Sequence, residues 1–340
     1  MSVAALLNRE AALSDLESGV VTANDRFYVR SHFPVPTIDV ARWRLRVFGR
    51  VRDELRLRLP ELMSMGARTM TVTLECAGNG RSMMTPAVDG EQWGLGAVST
   101  ARWTGVLLAD VLRQAGIDPA AQEVVFRGAD HQVGGLRRFE RSLAIRDLRS
   151  APVLLSYAMN GEPLPIAHGH PLRAIVPGRY AVASVKWLAE IEAVTIPFRG
   201  FFQSERYIYE WKRNGSVIAQ PVAEMRVRSV ITKPTQGETV SVGSIVVHGF
   251  AWSGIAPIAR VEVKLNGQGW QPATILGSPS RHHWQRWELT STIDRPGTVS
   301  IAVRAADRSG NVQSEHAEWN RLGYGNNMIQ ALTVEAKAGD

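Results

Sequence analysis

From about residue 225 onward the chain never shows a helical period, and this constrains its fold more than any other feature. Arg226 to Ile231, Ile245 to Trp252, Arg260 to Leu265, Trp284 to Leu289 and Val299 to Ala305 are short runs set between Gly, Pro and Asn turns. Such runs, spaced roughly 10–15 residues apart, read as an antiparallel β-sandwich of immunoglobulin-like size. The segment contains no cysteine, so its core alone must hold it. Trp252, Trp270, Trp284 and Trp287 are the large candidates for that core.

Upstream the texture is mixed. Residues 1–40 read as loop-rich after a short helix. Trp43 to Val47 alternates apolar with charged residues, as a half-buried strand does. Thr71 to Cys76 does the same and stops at the turn Ala77-Gly78-Asn79-Gly80. Val106 to Leu112 has helical spacing, with Gly116 as a C-terminal stop. Glu123 to Phe126 and Val153 to Tyr157 read as buried strands, and Asn160-Gly161 as a tight turn. Pro163, Pro165, Pro171 and Pro177 keep the stretch up to Tyr180 irregular, after which Val182 to Ile191 returns to a strand-like or short helical pattern. The sum is an α+β domain over residues 1–222 and a β-sandwich over 223–340. Two domains also suit a chain of 340 residues.

Cys76 is the only cysteine. An intrachain disulfide, an all-cysteine zinc site and an iron–sulfur cluster held by this chain alone are therefore excluded. There is no Cys-x-x-Cys-His, so neither haem nor iron–sulfur is expected. His-Glu-x-x-His and a phosphate-binding loop are missing too, and Gly94-Leu95-Gly96 lacks the third glycine of a dinucleotide site. The net charge of +7 is spread along the chain. That argues for a basic pocket taking a small anion, and against nucleic acid. No apolar run reaches the ~18 residues of a membrane span. The opening MSVAALLNREAALSDL has no basic start and is broken by charges, so a cytoplasmic location is expected, or a periplasmic one after removal of a leader. Cys76 itself reads two ways. It is a small buried hydrophobe, or a thiolate at a strand end serving as nucleophile or metal ligand.

Its neighbours bear on that choice. Leu74-Glu75-Cys76-Ala77-Gly78-Asn79-Gly80-Arg81 resembles the signature of the sulfite oxidase and assimilatory nitrate reductase molybdenum domain, whose loop is close to Cys-Ala-Gly-Asn-Arg-Arg. Gly80 stands where that loop has its first arginine, and Arg81 matches the second. Further blocks follow in the same order: Phe27 to His32, Gly96 to Val106, Tyr157 to Pro165, His168 to Arg173, Val176 to Gly178 and Ser184 to Leu188. Ile231 to Pro234, Gly249 to Gly254 and Trp319-Asn320 carry the similarity into the second half, over most of residues 24–335.

The resemblance implies a molybdopterin-binding α+β domain of the sulfite oxidase fold, followed by an immunoglobulin-like β-sandwich that pairs two copies into a homodimer. It implies a molybdenum–molybdopterin cofactor whose metal takes one protein thiolate, from Cys76; a soft thiolate suits that metal. Tyr28, Val29, Arg30, Ser31, His32, Asp130, His168, Arg173, Ser184, Val185 and Lys186 are the implied cofactor-binding residues. Arg30 and Arg81 are the implied ligands of a small oxyanion substrate, with Trp93 lining the pocket. A third arginine is expected near Trp284-Gln285-Arg286-Trp287. Gln285 takes its column, and Arg286, one residue on, would face the other way in a strand. Phe139 occupies the place of an active-site tyrosine and has no hydroxyl to orient an oxyanion or relay a proton. Arg137, Arg138 and Arg141 flank it as alternative charges. The implied reaction is oxygen-atom transfer, sulfite to sulfate. No cytochrome b5 segment is seen, so electrons are expected to pass to an external acceptor such as a cytochrome. The competing readings are reduction of nitrate or a sulfoxide at the same centre, a cysteine hydrolase, and a non-enzymatic basic protein binding anions or nucleic acid.

Overall fold

The computed structural model describes residues 6–149 and 152–338; residues 1–5 of the expected first domain and 339–340 of the second lie outside these. Two five-stranded sheets build the first half. In one, Leu45–Gly49 pairs with Leu55–Leu57 and runs parallel to Leu188–Val194, which continues through Glu123–His131 to Arg138–Ala144. In the other, Arg68–Glu75 pairs antiparallel with Val98–Leu107, and Leu154–Met159 follows with the short strands Glu162–Pro163 and Arg173–Ile175 beside it. The α-helices are short: Leu59–Met63, Leu108–Ala115 and Phe201–Ser204. None is long and apolar enough to cross a membrane.

Local sequence explains much of this. Asn160 and Gly161 both adopt positive φ, 55° and 89°, as a two-residue hairpin requires. Gly116 caps its helix at φ 65°. The helix expected from Val106 starts later. Val106 and Leu107 instead end a ten-residue strand, because Gly105 to Leu107 pair with Ser156 to Leu154. Between residues 163 and 180 the prolines leave one short 3-10 turn and one three-residue strand.

The C-terminal half is an eight-stranded array. Its strands are Arg228–Lys233, Thr239–Ser241, Gly243–Trp252, Ile258–Leu265, Gln271–Leu276, Gln285–Ile293, Gly297–Asp307 and Gln330–Lys337. Gln271 to Ala273 pairs one way and Thr274 to Leu276 the other, so this strand joins the two layers. A separate hairpin, Ile208–Arg213 with Ser216–Pro221, links the halves.

The four tryptophans expected in the sandwich core divide. Trp287, 1% exposed, packs among Val247, Val263 and Val303 inside the sandwich. Trp252 and Trp284 are equally buried but face the first domain and join its core. Trp284 stacks on Phe250 at 4.3 Å and donates its indole N–H to the Val20 carbonyl. Trp270 is half-buried on the surface, under Lys264 and Arg304. Alternation selects a face of a strand, but what covers that face is set by the neighbouring domain. Trp287→Ala should therefore cost about 3–5 kcal/mol and Trp270→Ala only about 1 kcal/mol, read by denaturant unfolding. Equal losses would contradict this division.

Candidate active site

Cys76 follows the last residue of the strand Arg68–Glu75, where the chain turns sharply. Its N–H donates to the Ala97 carbonyl at 2.9 Å, and its own carbonyl accepts from Asn79 N–H at 2.9 Å. Asn79 ties the turn from inside: its amide donates to Glu75 at 3.0 Å and accepts from Ala97 N–H at 3.1 Å. Glu75 is 2% exposed and meets Arg228, 1% exposed, at 3.2 Å. Trp252 donates its indole N–H to the other carboxylate oxygen at 2.9 Å. Burial pushes the Glu75 carboxyl above its ordinary range, and Arg228, Trp252 and Asn79 pull it back. Arg228 also donates to the Asn79 and Asn326 carbonyls, while Asn326 donates to the Gly80 carbonyl at 2.8 Å. The second domain thus holds the cysteine turn from below. Gly80 has φ 78°, and a Cβ there would come within 2.6 Å of Arg228 Nη2. Any side chain at this position would therefore meet the Arg228 guanidinium.

Two cavities meet at Cys76. The first is lined by Tyr28, Val29, Arg30, Ser31, His32, Asp130, Phe139, His168, Arg173, Ser184 and Lys186, among others. Of the expected cofactor-binding residues only Val185 is missing from it. Its side chain is fully buried in the core, and its carbonyl accepts from Ala174 N–H. The cations in this cavity outnumber the acids. Arg173 donates to the His168 and Ser184 carbonyls but its Nε has no partner, and neither has Asp130 Oδ1. Lys186 donates to Ser31 Oγ at 3.0 Å and the Ala167 carbonyl at 2.9 Å. Burial, and then Arg173, push Lys186 well below its usual range; burial pulls Arg173 down to about 10 and lifts Asp130 to about 6. Buried cations in excess of acids are costly, so the cavity suits an anionic group that can also meet the unpartnered Arg173 Nε and Asp130 Oδ1. The donor set therefore fits molybdopterin. Among the described residues no three His, Cys, Asp or Glu side chains cluster to hold a metal. A metal here would take Cys76 and bring its other ligands with the cofactor.

The second cavity is a cleft of about 350 Å³ over the other side of Cys76. Arg30, Arg81 and Trp93 line it, with Tyr207, Tyr324, Arg137 and Arg206. Arg81 is buried, donating to the Glu91 and Leu322 carbonyls, with its guanidinium 5.1 Å from the Tyr324 ring. Arg30 donates to Asn8 at 3.2 Å and to the Ser31 carbonyl. Burial raises the Cys76 thiol pKa, and Arg30 acts against it.

Several expectations are corrected here. Neither Gln285 nor Arg286 lines either cavity. Gln285 is buried in its strand and donates to the Ser278 carbonyl, while the second domain reaches the cleft through Leu322 and Tyr324. Phe139 is an aromatic wall, 4.8 Å from both His32 and Phe202. The hydroxyl it lacks is supplied from elsewhere. Tyr207 lines both cavities, stacks on Tyr324 at 4.7 Å, and shares a 2.6 Å hydrogen bond with His32 Nε2. Its φ of 55° is rare for an aromatic residue and marks a position held by its surroundings. Arg141 is one of those surroundings. It is buried and donates to the Phe202 and Val222 carbonyls, and Val222 N–H donates to the Tyr207 carbonyl. Arg138 pairs with Glu190, so of the three arginines flanking Phe139 only Arg137 faces the cleft. Tyr207, Tyr324, Glu75 and Arg228 were missed from sequence; the aromatic run Phe201 to Tyr209 was the available signal for the first.

This arrangement defines a molybdopterin-binding oxidoreductase. Residues 32–202 match the oxidoreductase molybdopterin binding domain and residues 219–337 the Mo-co oxidoreductase dimerisation domain. The chain is 36% identical over 348 residues to mitochondrial sulfite oxidase of Homo sapiens, covering 96% of this chain and 64% of that protein's length. It is 32% identical over 347 residues to sulfite oxidase of Arabidopsis thaliana, covering 93% and 88%. The crystal structure of the sulfane dehydrogenase SoxCD from Paracoccus pantotrophus superposes with a TM-score of 0.86 at 26% identity, over 100% of this chain and 88% of that one. The chain belongs to the sulfite oxidase family of molybdopterin oxidoreductases.

The first cavity also sets an acid limit. His168 donates its Nε2–H to the Asn24 carbonyl, 3.1 Å away, and burial, then Arg173, pull its pKa from 6.5 to about 3. The unfolded chain therefore binds a proton that the folded chain refuses. The stability contribution is complete above about 6.5 and lost as pH falls toward 3. In cofactor-free protein, His168→Gln should flatten the fall of Tm with acidity in this window, leaving the slope due to His32, which burial shifts the same way. An unaltered Tm–pH profile would contradict the burial argument.

Proposed function

We propose that the protein oxidises sulfite to sulfate at a molybdenum–molybdopterin centre ligated by Cys76. It works as a homodimer and passes electrons to a separate acceptor such as a cytochrome. The observation that carries this reading is the position of Cys76 where a cation-rich cofactor cavity meets an arginine-lined cleft. When bound, the cofactor supplies oxygen-atom transfer coupled to a two-electron change at the metal. In balance, sulfite and water become sulfate, two protons and two electrons.

The chain's own residues have definable tasks. Arg30 and Arg81 pair with no carboxylate among the described residues; the bonds they make go to neutral oxygens, so both positive charges remain uncompensated and can attract an oxyanion. Burial, then Tyr324, raises the Tyr207 pKa, so its hydroxyl stays protonated as a donor. Burial, then Arg30, keeps His32 neutral. The 2.6 Å Tyr207–His32 pair can orient an oxyanion and carry a proton away from it. Trp93 is a buried apolar wall of the cleft, and Phe139 a buried apolar wall of the cofactor cavity.

With ferricyanide as acceptor, Arg30→Gln should raise KM for sulfite roughly 10- to 150-fold, the loss of a charge-assisted contact. Tyr207→Phe should instead lower kcat, on the order of 100-fold or more. A molybdenum-replete protein with no sulfite turnover, but active as a nitrate or sulfoxide reductase, would replace this reading.

A further inference from the structure

In the protein alone, before any metal is seated on Cys76, the cleft over it is larger than sulfite needs. Its volume of about 350 Å³ falls within the ~300–1,000 Å³ of clefts that take drug-sized ligands. Its walls also differ from those that suit a small hydrated dianion. Past Arg30 and Arg81 the lining is aromatic, with Phe202, Trp93 and Tyr324 buried and Phe201 half-buried. Arg137 lies 3.7 Å above the Phe201 ring at the mouth, and exposed Arg206 lines the same cleft. Asp89 and Glu91 also line it, so the lining beyond the two inner arginines is mixed in charge. Such a cleft suits a molecule with an anionic head and an uncharged, flat body. The head would meet Arg30 and Arg81 beside Cys76, and the body would lie along the aromatic wall.

We infer that the substrate class extends to organic sulfinates, R–SO₂⁻, with R an aromatic or large apolar group. This rests on the sulfite reading above. A sulfinate is sulfite with one oxygen replaced by carbon. It keeps the lone pair on sulfur and two oxygens for the arginines. The reaction balances in the same way: R–SO₂⁻ and water give R–SO₃⁻, two protons and two electrons. One S–O bond forms with the oxygen of water, the S–C bond is untouched, and sulfur loses two electrons to the acceptor that serves sulfite. The anionic head accounts for the inner arginines, and the apolar body for the size and aromatic lining that sulfite leaves unused.

The test compares sulfite, methanesulfinate and benzenesulfinate on the molybdenum-loaded enzyme with ferricyanide. Benzenesulfinate should exceed methanesulfinate in kcat/KM by about tenfold or more. Phe201→Ala and, independently, Arg137→Gln should lower the benzenesulfinate-to-sulfite ratio of kcat/KM about tenfold. Calorimetric titration with benzenesulfonate should show binding that weakens in Phe201→Ala, a readout that needs no turnover. Sulfite turnover without sulfinate turnover overturns this inference and leaves the sulfite reading standing. Sulfinate turnover without sulfite supports it and removes sulfite as the substrate. Equal losses for both substrates in the variants overturn the aromatic wall as a binding surface, and activity on neither removes both readings.

Discussion

A carboxylate and a guanidinium, both almost wholly buried, meet one residue before the only cysteine. Glu75 and Arg228 lie 153 residues apart in the chain and on different domains. Taking two charges out of water is expensive, and breaking such a pair from one side costs about 3–5 kcal/mol. Glu75 is held further by Trp252 and Asn79, and Arg228 donates through Nη1 to the Asn79 and Asn326 carbonyls while its Nε and Nη2 have no partner. The result is a turn whose backbone cannot shift without disturbing the domain interface. Cys76 inherits that rigidity. A β-sandwich that contributes few side chains to the cavities still helps fix where the Cys76 side chain stands.

Around this fixed point the charges are left unbalanced. Arg30, Arg173 and Lys186 share the cofactor cavity with Asp130, which burial lifts toward neutrality. The folded chain bears the cost of confined cations that an anionic cofactor would relieve. On the other side Arg81 adds one more guanidinium, and it and Arg30 both act on the Cys76 thiol. Arg30 lines both cavities, so on the proposed reading cofactor and substrate would share one cation. Binding of one will be felt by the other through that side chain.

The local parts of this design could be read from sequence. Alternation placed the strand that leads into Cys76, and Gly78 and Gly80 marked the turn after it. Asn160-Gly161 and Gly116 marked a hairpin and a helix stop, and the ordered blocks around Cys76 pointed to the cofactor. What could not be read is what depends on distant chain meeting. Tyr207 reaches the pocket because a short helix and the Arg141 brace turn it inward at a positive φ, which no periodicity encodes. Arg228 fills the space over Gly80 from another domain. Trp270 and Trp287 look alike in sequence, yet one lies on the surface and the other in the core. Gln285 was expected at the pocket by position in a block, but its strand runs past the cleft rather than into it.

The central claim is that Cys76 is the one protein ligand to molybdenum. X-ray absorption at the molybdenum edge tests it most directly. Wild-type protein and Cys76→Ser, each loaded with cofactor, should differ by one sulfur scatterer replaced by an oxygen, the pterin sulfurs remaining in both. Identical sulfur shells in the two proteins would show that the metal binds without Cys76, and the account built on that turn would fail.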